Sequence, residues 1–154
     1  MFKTKVKDIM TKQVITADKN TNFFDVAQLM KKHDTGFIPI MEEKRVIGVI
    51  TDRDMVIRGI ANKEDSNTPI GKYITQEIIA VKPDTSIDIA SHIMADKQVK
   101  RLLVIDDNEL VGVLSLSDIT NHNQKEALQA LTGINRKHKK NYFEDNPEVD
   151  DFKL

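Results

Sequence analysis

Apolar and polar positions along the chain follow two periods, and their succession occurs twice. Short β-branched runs at 14–17, 37–41 and 46–51 are typical of strands, and the polar residues 42–45 predict a hairpin between the last two. Between the first and second runs, apolar residues recur at helical spacing and predict one buried helix face. They are Phe23, Val26, Ala27 and Met30.

The same succession returns 64 residues later without a gap. Strand-like runs at 78–81, 101–105 and 110–115 enclose a second helical segment, in which Thr85 and Asp88 resemble a capping box. A further helix is expected after Thr51 and after Ser115, so each repeat reads β-α-β-β-α. The apolar face of the second helical segment consists of Ile87, Ala90, Ser91 and Met94.

A short motif closes the third strand of both repeats. GVITDRD at 48–54 and GVLSLSD at 112–118 both read Gly-x-x-(Thr/Ser)-x-x-Asp. One copy is weak evidence, whereas two copies in gapless register indicate an internal duplication. A unit of about 60 residues buries little surface alone, so we expect the two to pack about a pseudo-twofold axis with the functional surface between them.

The repeats divide the chain into four parts. We expect repeat 1 at 1–61, a linker at 62–71, repeat 2 at 72–122, and a C-terminal helix with a charged, flexible tail at 123–154. The helix, predicted at 124–131, should break at Thr132 and Gly133. The charge blocks that follow are typical of solvated tails, although three aromatic residues there could anchor a partner. These are Tyr142, Phe143 and Phe152.

The motif offers chemistry suited to a nucleoside. Its hydroxyl and carboxylate begin a helix, where unpaired N–H groups favour a phosphate, and a carboxylate accepts hydrogen bonds from two ribose hydroxyls. A short β-branched strand edge can hold adenine by apolar contact and backbone hydrogen bonds. Thr-x-x-Asp is equally a helix-capping pattern, and a duplicated fold duplicates its caps, so a purely structural role stays open.

Composition narrows the classes of function. The 23 basic and 24 acidic residues nearly cancel, which disfavours nucleic-acid binding, and the absence of cysteine fits a reducing compartment. No signal peptide or membrane-length apolar run is evident, so we expect a cytoplasmic protein without membrane contact. The four histidines lack metal-ligand spacing, and no nucleophile elbow or Walker loop occurs. We therefore expect neither a metal site nor catalytic residues.

Over about Val6–Asn121 the sequence resembles a tandem pair of cystathionine-β-synthase (CBS) domains, or Bateman module. The doubled motif, the helix endings and the strand FIPIM carry this resemblance. It implies a mixed α/β fold of the α+β type that binds AMP, ADP, ATP, S-adenosylmethionine or cyclic di-AMP in inter-repeat clefts. It also implies a disc-like homodimer.

The resemblance nominates binding residues in both repeats. The motif residues would grip ribose and phosphates, and the first strand of each repeat would hold adenine. The ribose and phosphate ligands would be Thr51, Asp54, Ser115 and Asp118, and the adenine-side residues Ile15, Thr16, Ala17, Ile79, Ala80 and Val81.

The repeats differ in their candidate phosphate ligands. Repeat 1 carries Arg53 and Arg58, whereas repeat 2 carries Lys100 and Arg101. These cations could equally be solvated surface charge. Leu103 stands where repeat 1, like the family, has proline, so we expect non-equivalent sites.

These observations predict a stand-alone regulatory module that needs no cofactor. It would bind an adenosine-type effector and regulate a protein partner in trans, because 154 residues leave no room for a catalytic domain. The rival from another class is a ligand-free dimerisation scaffold. A slow nucleotide hydrolase is a third, weaker hypothesis.

Overall fold

The computed structural model describes residues 3–145, and side chains as far as Arg136. The fold is mixed α/β, with two three-stranded sheets and their helices. Two compact units arise from non-contiguous segments. Gln13–Ile79 with Asp106–Leu110 forms one, here called the Thr51 unit, and the residues up to Lys12, Ala80–Ile105 and the residues from Val111 onward form the Ser115 unit.

In the Thr51 unit, sheet β1-β2-β3 has β1 parallel and β3 antiparallel to the central β2. A core of Phe23, Val26, Ile38, Ile40 and Ile50 lies between this sheet and its helix. Short helical turns follow β3. The elements are β1 (Ala17–Asp18), α2 (Phe23–His33), β2 (Phe37–Glu42), β3 (Arg45–Thr51), α3 (Asp52–Asp54), a π-helical turn (Met55–Gly59) and two 3₁₀ turns (Ile60–Asn62 and Ile70–Lys72).

The Ser115 unit repeats this arrangement with sheet β4-β5-β6 and adds two helices, one at each end of the chain. Leu102, Leu103, Val104 and Leu114 are its buried strand residues. Its elements are α1 (Val6–Ile9), β4 (Ala80–Val81), α4 (Ile87–Lys97), β5 (Arg101–Asp106), β6 (Glu109–Ser115), α5 (Leu116–His122) and α6 (Gln124–Asp145). Within the described residues, no helix combines the length and apolar character needed to cross a membrane.

The 64-residue register of the sequence is confirmed strand by strand. The third strands of the two repeats, β3 and β6, have the same burial pattern. Ala17 pairs with Ile40 in one sheet as Val81 pairs with Val104 in the other. The first strand of each repeat is shorter than the predicted four residues. β1 and β4 have two residues each.

The segment that precedes each repeat packs with the other repeat. Val6, fully buried in the Ser115 unit, donates its N–H to the Thr85 carbonyl at 2.8 Å. Ile70, 64 residues later and also fully buried, donates in the Thr51 unit to the Thr21 carbonyl at 2.9 Å. We call residues 4–11 and 68–75 the leader segments. The linker expected at 62–71 thus includes a core residue of the Thr51 unit.

The first position of each motif requires glycine because a leader segment packs directly against it. Val49 and Thr75 exchange two backbone hydrogen bonds of 2.9 and 2.8 Å, as Val113 and Thr11 do at 3.0 and 2.9 Å. A Cβ atom on Gly48 would lie 2.6 Å from the Thr75 carbonyl oxygen. Close approach of backbone therefore explains the motif's first position.

Helix α6 corrects the prediction for the C-terminal region. It runs through Thr132 and Gly133, which were expected to break it, and continues to Asp145. Gly133 is a packing position, since a Cβ atom there would lie 2.4 Å from that of Ala95 on α4. The partner-anchor hypothesis for Tyr142, Phe143 and Phe152 concerns side chains outside those that the structure describes.

Two further helix predictions need correction. Helix α4 is capped by Ser86, whose hydroxyl accepts from the Ile89 N–H at 3.3 Å, and not by Thr85. After Thr51 the expected helix forms as three short turns with a π-helical segment, whereas α5 after Ser115 is a regular α-helix. In the π segment, Gly59 lies buried against the Phe23 ring, which no larger residue could approach so closely.

The contact with the leader segments predicts that alanine substitution destabilises the protein to different extents at the two motif glycines. Gly48→Ala should reduce the free energy of unfolding by about 1–3 kcal/mol, because the new methyl meets the carbonyl oxygen of Thr75, a residue held by two backbone hydrogen bonds. Gly112→Ala should cost less, because its nearest obstacle is the flexible Met10 side chain. Urea unfolding of both variants tests this, and an equal or larger loss for Gly112→Ala would contradict it.

The close approach of α6 to α4 predicts the sign of a second substitution. Gly133→Ala should destabilise the protein, because crowding against Ala95 costs about 1–3 kcal/mol and exceeds the gain of about 1 kcal/mol in helix propensity. The exposed neighbour variant Asn135→Ala reports the propensity effect alone. Thermal unfolding measures the stability of both variants. A higher midpoint for Gly133→Ala would contradict the prediction, because α4 and α6 would then accommodate the methyl group without loss of stability.

Candidate functional site

The hydroxyl and carboxylate of each motif form a reciprocal capping box. Thr51 Oγ1 accepts from the Asp54 N–H at 3.1 Å, and Asp54 Oδ2 accepts from the Thr51 N–H at 3.0 Å. Ser115 and Asp118 repeat both bonds at 3.1 and 2.8 Å. The capping interpretation of the motif is therefore confirmed in both halves. It uses one carboxylate oxygen per motif and leaves the second oxygen, Oδ1, outside the box.

Sheet topology brings the nominated ribose and phosphate ligands and the nominated adenine-side residues to the same end of each sheet. β1 and β2 are parallel and β3 is antiparallel, so the amino ends of β1 and β2 meet the carboxyl end of β3. Thr51 is paired with Phe37, the first residue of β2, and the Asp52 N–H donates to the Gly36 carbonyl at 3.0 Å. β1 and β3 are two strand spacings apart, or about 10 Å.

The adenine-side residues lead into the first strand and lie only partly within it. Ile15 is half-buried and Thr16 exposed, both before β1, whereas Ala17 is buried inside it. In the Ser115 unit, Ile79 precedes β4, Ala80 is exposed and Val81 is buried. An adenine edge requires backbone hydrogen-bonding groups beside an apolar surface, so a placement just before a short strand suits the nominated role.

Arg58 is engaged within the protein. Its Nε lies 3.7 Å from Asp54 Oδ1, and its Nη1 donates to the Tyr73 carbonyl at 3.0 Å. At the equivalent position of the Ser115 unit, His122 Nε2 lies 3.0 Å from Thr4 Oγ1. The residue one turn after each motif aspartate thus contacts a leader segment.

The halves differ in charge beside the motif. The Asp52 carboxylate lies over Gly36, where a Cβ atom would be 2.6 Å from Oδ2, and it also accepts from the Arg53 N–H at 2.8 Å. The Ser115 unit has Leu116 in place of Asp52 and Lys100 in place of Gly36. Both Lys100 and Arg101 are exposed at the amino end of β5. The Ser115 sheet end therefore lacks the extra carboxylate of the Thr51 end and carries an additional lysine.

Sequence reasoning did not anticipate the role of Tyr73. Its ring packs on Phe23 with centroids 5.1 Å apart, while its carbonyl accepts from Arg58. A hydrogen bond to the Glu64 carboxylate, together with burial, raises the pKa of the Tyr73 hydroxyl. The register offered a signal for this leader residue, because it corresponds to Ile9 in the first repeat, but Tyr73 was assigned to repeat 2 at 72–122 and its packing on Phe23 has no sequence pattern.

No group of three or more His, Cys, Asp or Glu side chains that could hold a metal ion occurs in the described part of the chain. Two of the histidines in this part of the chain contact other side chains, His122 at Thr4 and His92 on α4. His92, for example, approaches the Asp88 carbonyl at 2.8 Å and Gln129 on α6.

Comparison with known proteins agrees with this duplicated site. The family model described as "CBS domain" matches twice, at residues 6–59 and 70–125. The chain belongs to the CBS domain family. Its two repeats are a CBS domain pair, and both matched ranges include most of the leader segment that precedes the repeat. The relatives include further CBS-domain proteins.

Three relatives illustrate the range of the CBS family. CBS domain-containing protein YhcV of Bacillus subtilis is 38% identical over 133 residues, covering 85% of this chain and 95% of that protein. The crystal structure of Hypoxic Response Protein I, which has two coordinated zinc ions, is 36% identical with a TM-score of 0.70 and covers 77% of this chain and 98% of its own.

The third relative is a CBS domain pair solved in complex with 5′-methylthioadenosine and S-adenosyl-L-methionine. It is 27% identical with a TM-score of 0.70, and the match covers 80% of this chain and 98% of that chain. CBS pairs of this fold therefore include proteins that bind adenosyl ligands.

The capping boxes predict how much of the motif is structural. Thr51→Ala should reduce the free energy of unfolding by about 1 kcal/mol, because the Asp54 N–H loses its acceptor. Thr51→Ser keeps the hydroxyl and should unfold nearly as the native chain does. Ser115→Ala and Ser115→Thr form the matched pair in the other unit. Chemical denaturation measures all four, and an unchanged Thr51→Ala variant would contradict a capping role.

Proposed function

We propose that this CBS domain pair is a regulatory module that binds an adenosine-type ligand at its motifs and controls a protein partner in trans. The observation that carries the proposal is the pair of motif carboxylates, Asp54 and Asp118. Each has one oxygen committed to the capping box and the other beyond it, at the sheet end where the nominated adenine-side residues lie.

The carboxylate geometry suits ribose. The capping box holds Asp54 and Asp118 in one orientation before any ligand arrives, so little side-chain entropy is lost on binding. Oδ1 of each can accept hydrogen bonds from the two vicinal hydroxyls of a ribose. The side chain of Asp54 is 17% exposed, which makes it accessible yet shielded from bulk water. The adenosyl complex of a 27% identical CBS pair supports the same ligand class.

The two halves should prefer different adenosine derivatives. Lys100 and Arg101 beside Ser115 offer positive charge to a phosphate, and the same sheet end carries Leu116 where the other has a carboxylate. Beside Thr51, Asp52 and the engaged Arg58 leave Arg53 as the exposed cation. We therefore assign phosphorylated ligands such as AMP, ADP or ATP to the Ser115 motif, and ligands without phosphate, such as S-adenosylmethionine, to the Thr51 motif.

Exposed apolar side chains on the Thr51 unit suit protein association. Phe24 is 54% exposed, and the helical turns after β3 expose Val56, Ile57 and Ile60 to 54%, 47% and 74%. A second copy of the chain or the regulated partner would cover them, in keeping with the homodimer expected from the resemblance.

The same exposed apolar side chains favour the second candidate function, a ligand-free interaction scaffold. In that case the capping boxes would be the whole purpose of the motif. Both functions predict association through these apolar side chains, but only the regulatory module predicts a bound ligand.

Thermal unfolding with AMP, ADP, ATP, S-adenosylmethionine and cyclic di-AMP tests the proposal. A ligand at about a hundred times its dissociation constant should raise the midpoint by about 5–10 °C. Asp54→Asn and Asp118→Asn are the matched variants, because an asparagine oxygen can still accept in the capping box while the second acceptor is lost.

The expected result is a midpoint rise that disappears in one asparagine variant for each ligand class. Phosphorylated ligands should lose their effect in Asp118→Asn, and S-adenosylmethionine in Asp54→Asn. The midpoints of the ligand-free variants should stay close to that of the native chain. If none of the five ligands shifts the native midpoint, the scaffold is the better account.

A further inference from the structure

Arg58 connects the motif carboxylate with the leader segment of the following repeat. Its Nε faces Asp54 Oδ1 at 3.7 Å, and its Nη1 donates to the Tyr73 carbonyl at 3.0 Å. It belongs to the π-helical turn Met55–Gly59, an irregularity that is frequent at functional sites and has no counterpart in α5. One guanidinium therefore spans the two groups.

Tyr73 is the anchor of its leader segment. Its ring packs on Phe23 of α2, and the residues on both sides of it in the core, Ile70 and Ile74, are buried. Beyond Thr75 the chain continues to β4, the first strand of the Ser115 unit. Tyr73 thus lies on the segment of chain that leads from the Thr51 motif to β4.

We propose that Arg58 is a coupling residue that transmits occupancy of the Thr51 motif to Tyr73. The inference rests on the proposed function and adds its regulation. Ribose hydroxyls that bind Asp54 Oδ1 take the oxygen that Arg58 Nε faces. Because the guanidinium is a rigid planar fork, displacement of Nε also moves Nη1, and the Tyr73 carbonyl loses or changes its hydrogen bond.

Lysine at this position separates coupling from charge. Its ammonium is a single point that keeps the positive charge near Asp54 but cannot span both partners as the fork does. Arg58→Lys should therefore still bind S-adenosylmethionine and fail to report the event at Tyr73. Arg58→Gln, which lacks the charge, is the second variant. Arg45→Gln, at an exposed residue in the hairpin, is the control for the loss of an arginine.

The chain offers a direct readout of the leader segment. It contains two tyrosines and no tryptophan, so 3-fluorotyrosine labelling gives two ¹⁹F resonances, and Tyr142→Phe assigns them. The Phe23 ring, 5.1 Å away, makes the Tyr73 resonance sensitive to small displacements. Titration with S-adenosylmethionine is followed by ¹⁹F NMR and, in parallel, by calorimetry for the affinity.

The expected result is a Tyr73 shift on binding in the native chain and in Arg45→Gln, and calorimetric binding without that shift in Arg58→Lys and Arg58→Gln. A full shift in the Arg58 variants overturns the coupling role while the proposed function stands. Loss of binding in Arg58→Lys also overturns it, since Arg58 would then be a ligand contact. If calorimetry detects no binding to the native chain, the proposed function fails for this ligand and the coupling with it.

Discussion

The backbone pairing of each leader segment with the other repeat's third strand is the constraint on which the structure depends. Val49 with Thr75, and Val113 with Thr11, exchange hydrogen bonds beside a glycine that has no room for a side chain. These bonds extend an otherwise three-stranded sheet by one short bridge and bring Val6 and Ile70 into the cores. Two repeats of about 60 residues are small for independent stability, and the exchange lets each borrow core residues from outside its own range.

Each position of the motif Gly-x-x-(Thr/Ser)-x-x-Asp therefore has a separate structural role. The glycine accommodates the leader segment, the hydroxyl caps a helical turn, and one aspartate oxygen completes the cap. Only the other aspartate oxygen is left for a ligand. A motif that looks like a binding signature is thus mostly a folding signature, and the ligand binding proposed for it depends on one carboxylate held in a fixed orientation. The difference between the halves arises from neighbours such as Asp52 and Lys100.

The repeat, the order of elements along the chain, the hairpins and most of the apolar helix faces were predictable, because each depends on local periodicity that the duplication shows twice. Ala27, expected on the buried face of α2, is exposed. The leader exchange was not, since a backbone contact between Thr11 and Val113 has no side-chain pattern. Gly133 was misinterpreted for a related reason. Glycine ends a helix in isolation, but against Ala95 of a neighbouring helix it permits close packing, and only the partner distinguishes the two. The engaged state of Arg58 likewise depends on a carbonyl that sequence does not mark.

The leader exchange also orders events during synthesis. Thr75 leaves the ribosome soon after its partner Val49, so the Thr51 unit can close its pairing while the rest of the chain is still being made. Thr11 must wait for Val113, about 100 residues later, which at usual elongation rates is about 5–20 s. During that interval the first leader segment has no partner strand. The first leader segment is thus made well before its partner strand and is among the last segments to be placed.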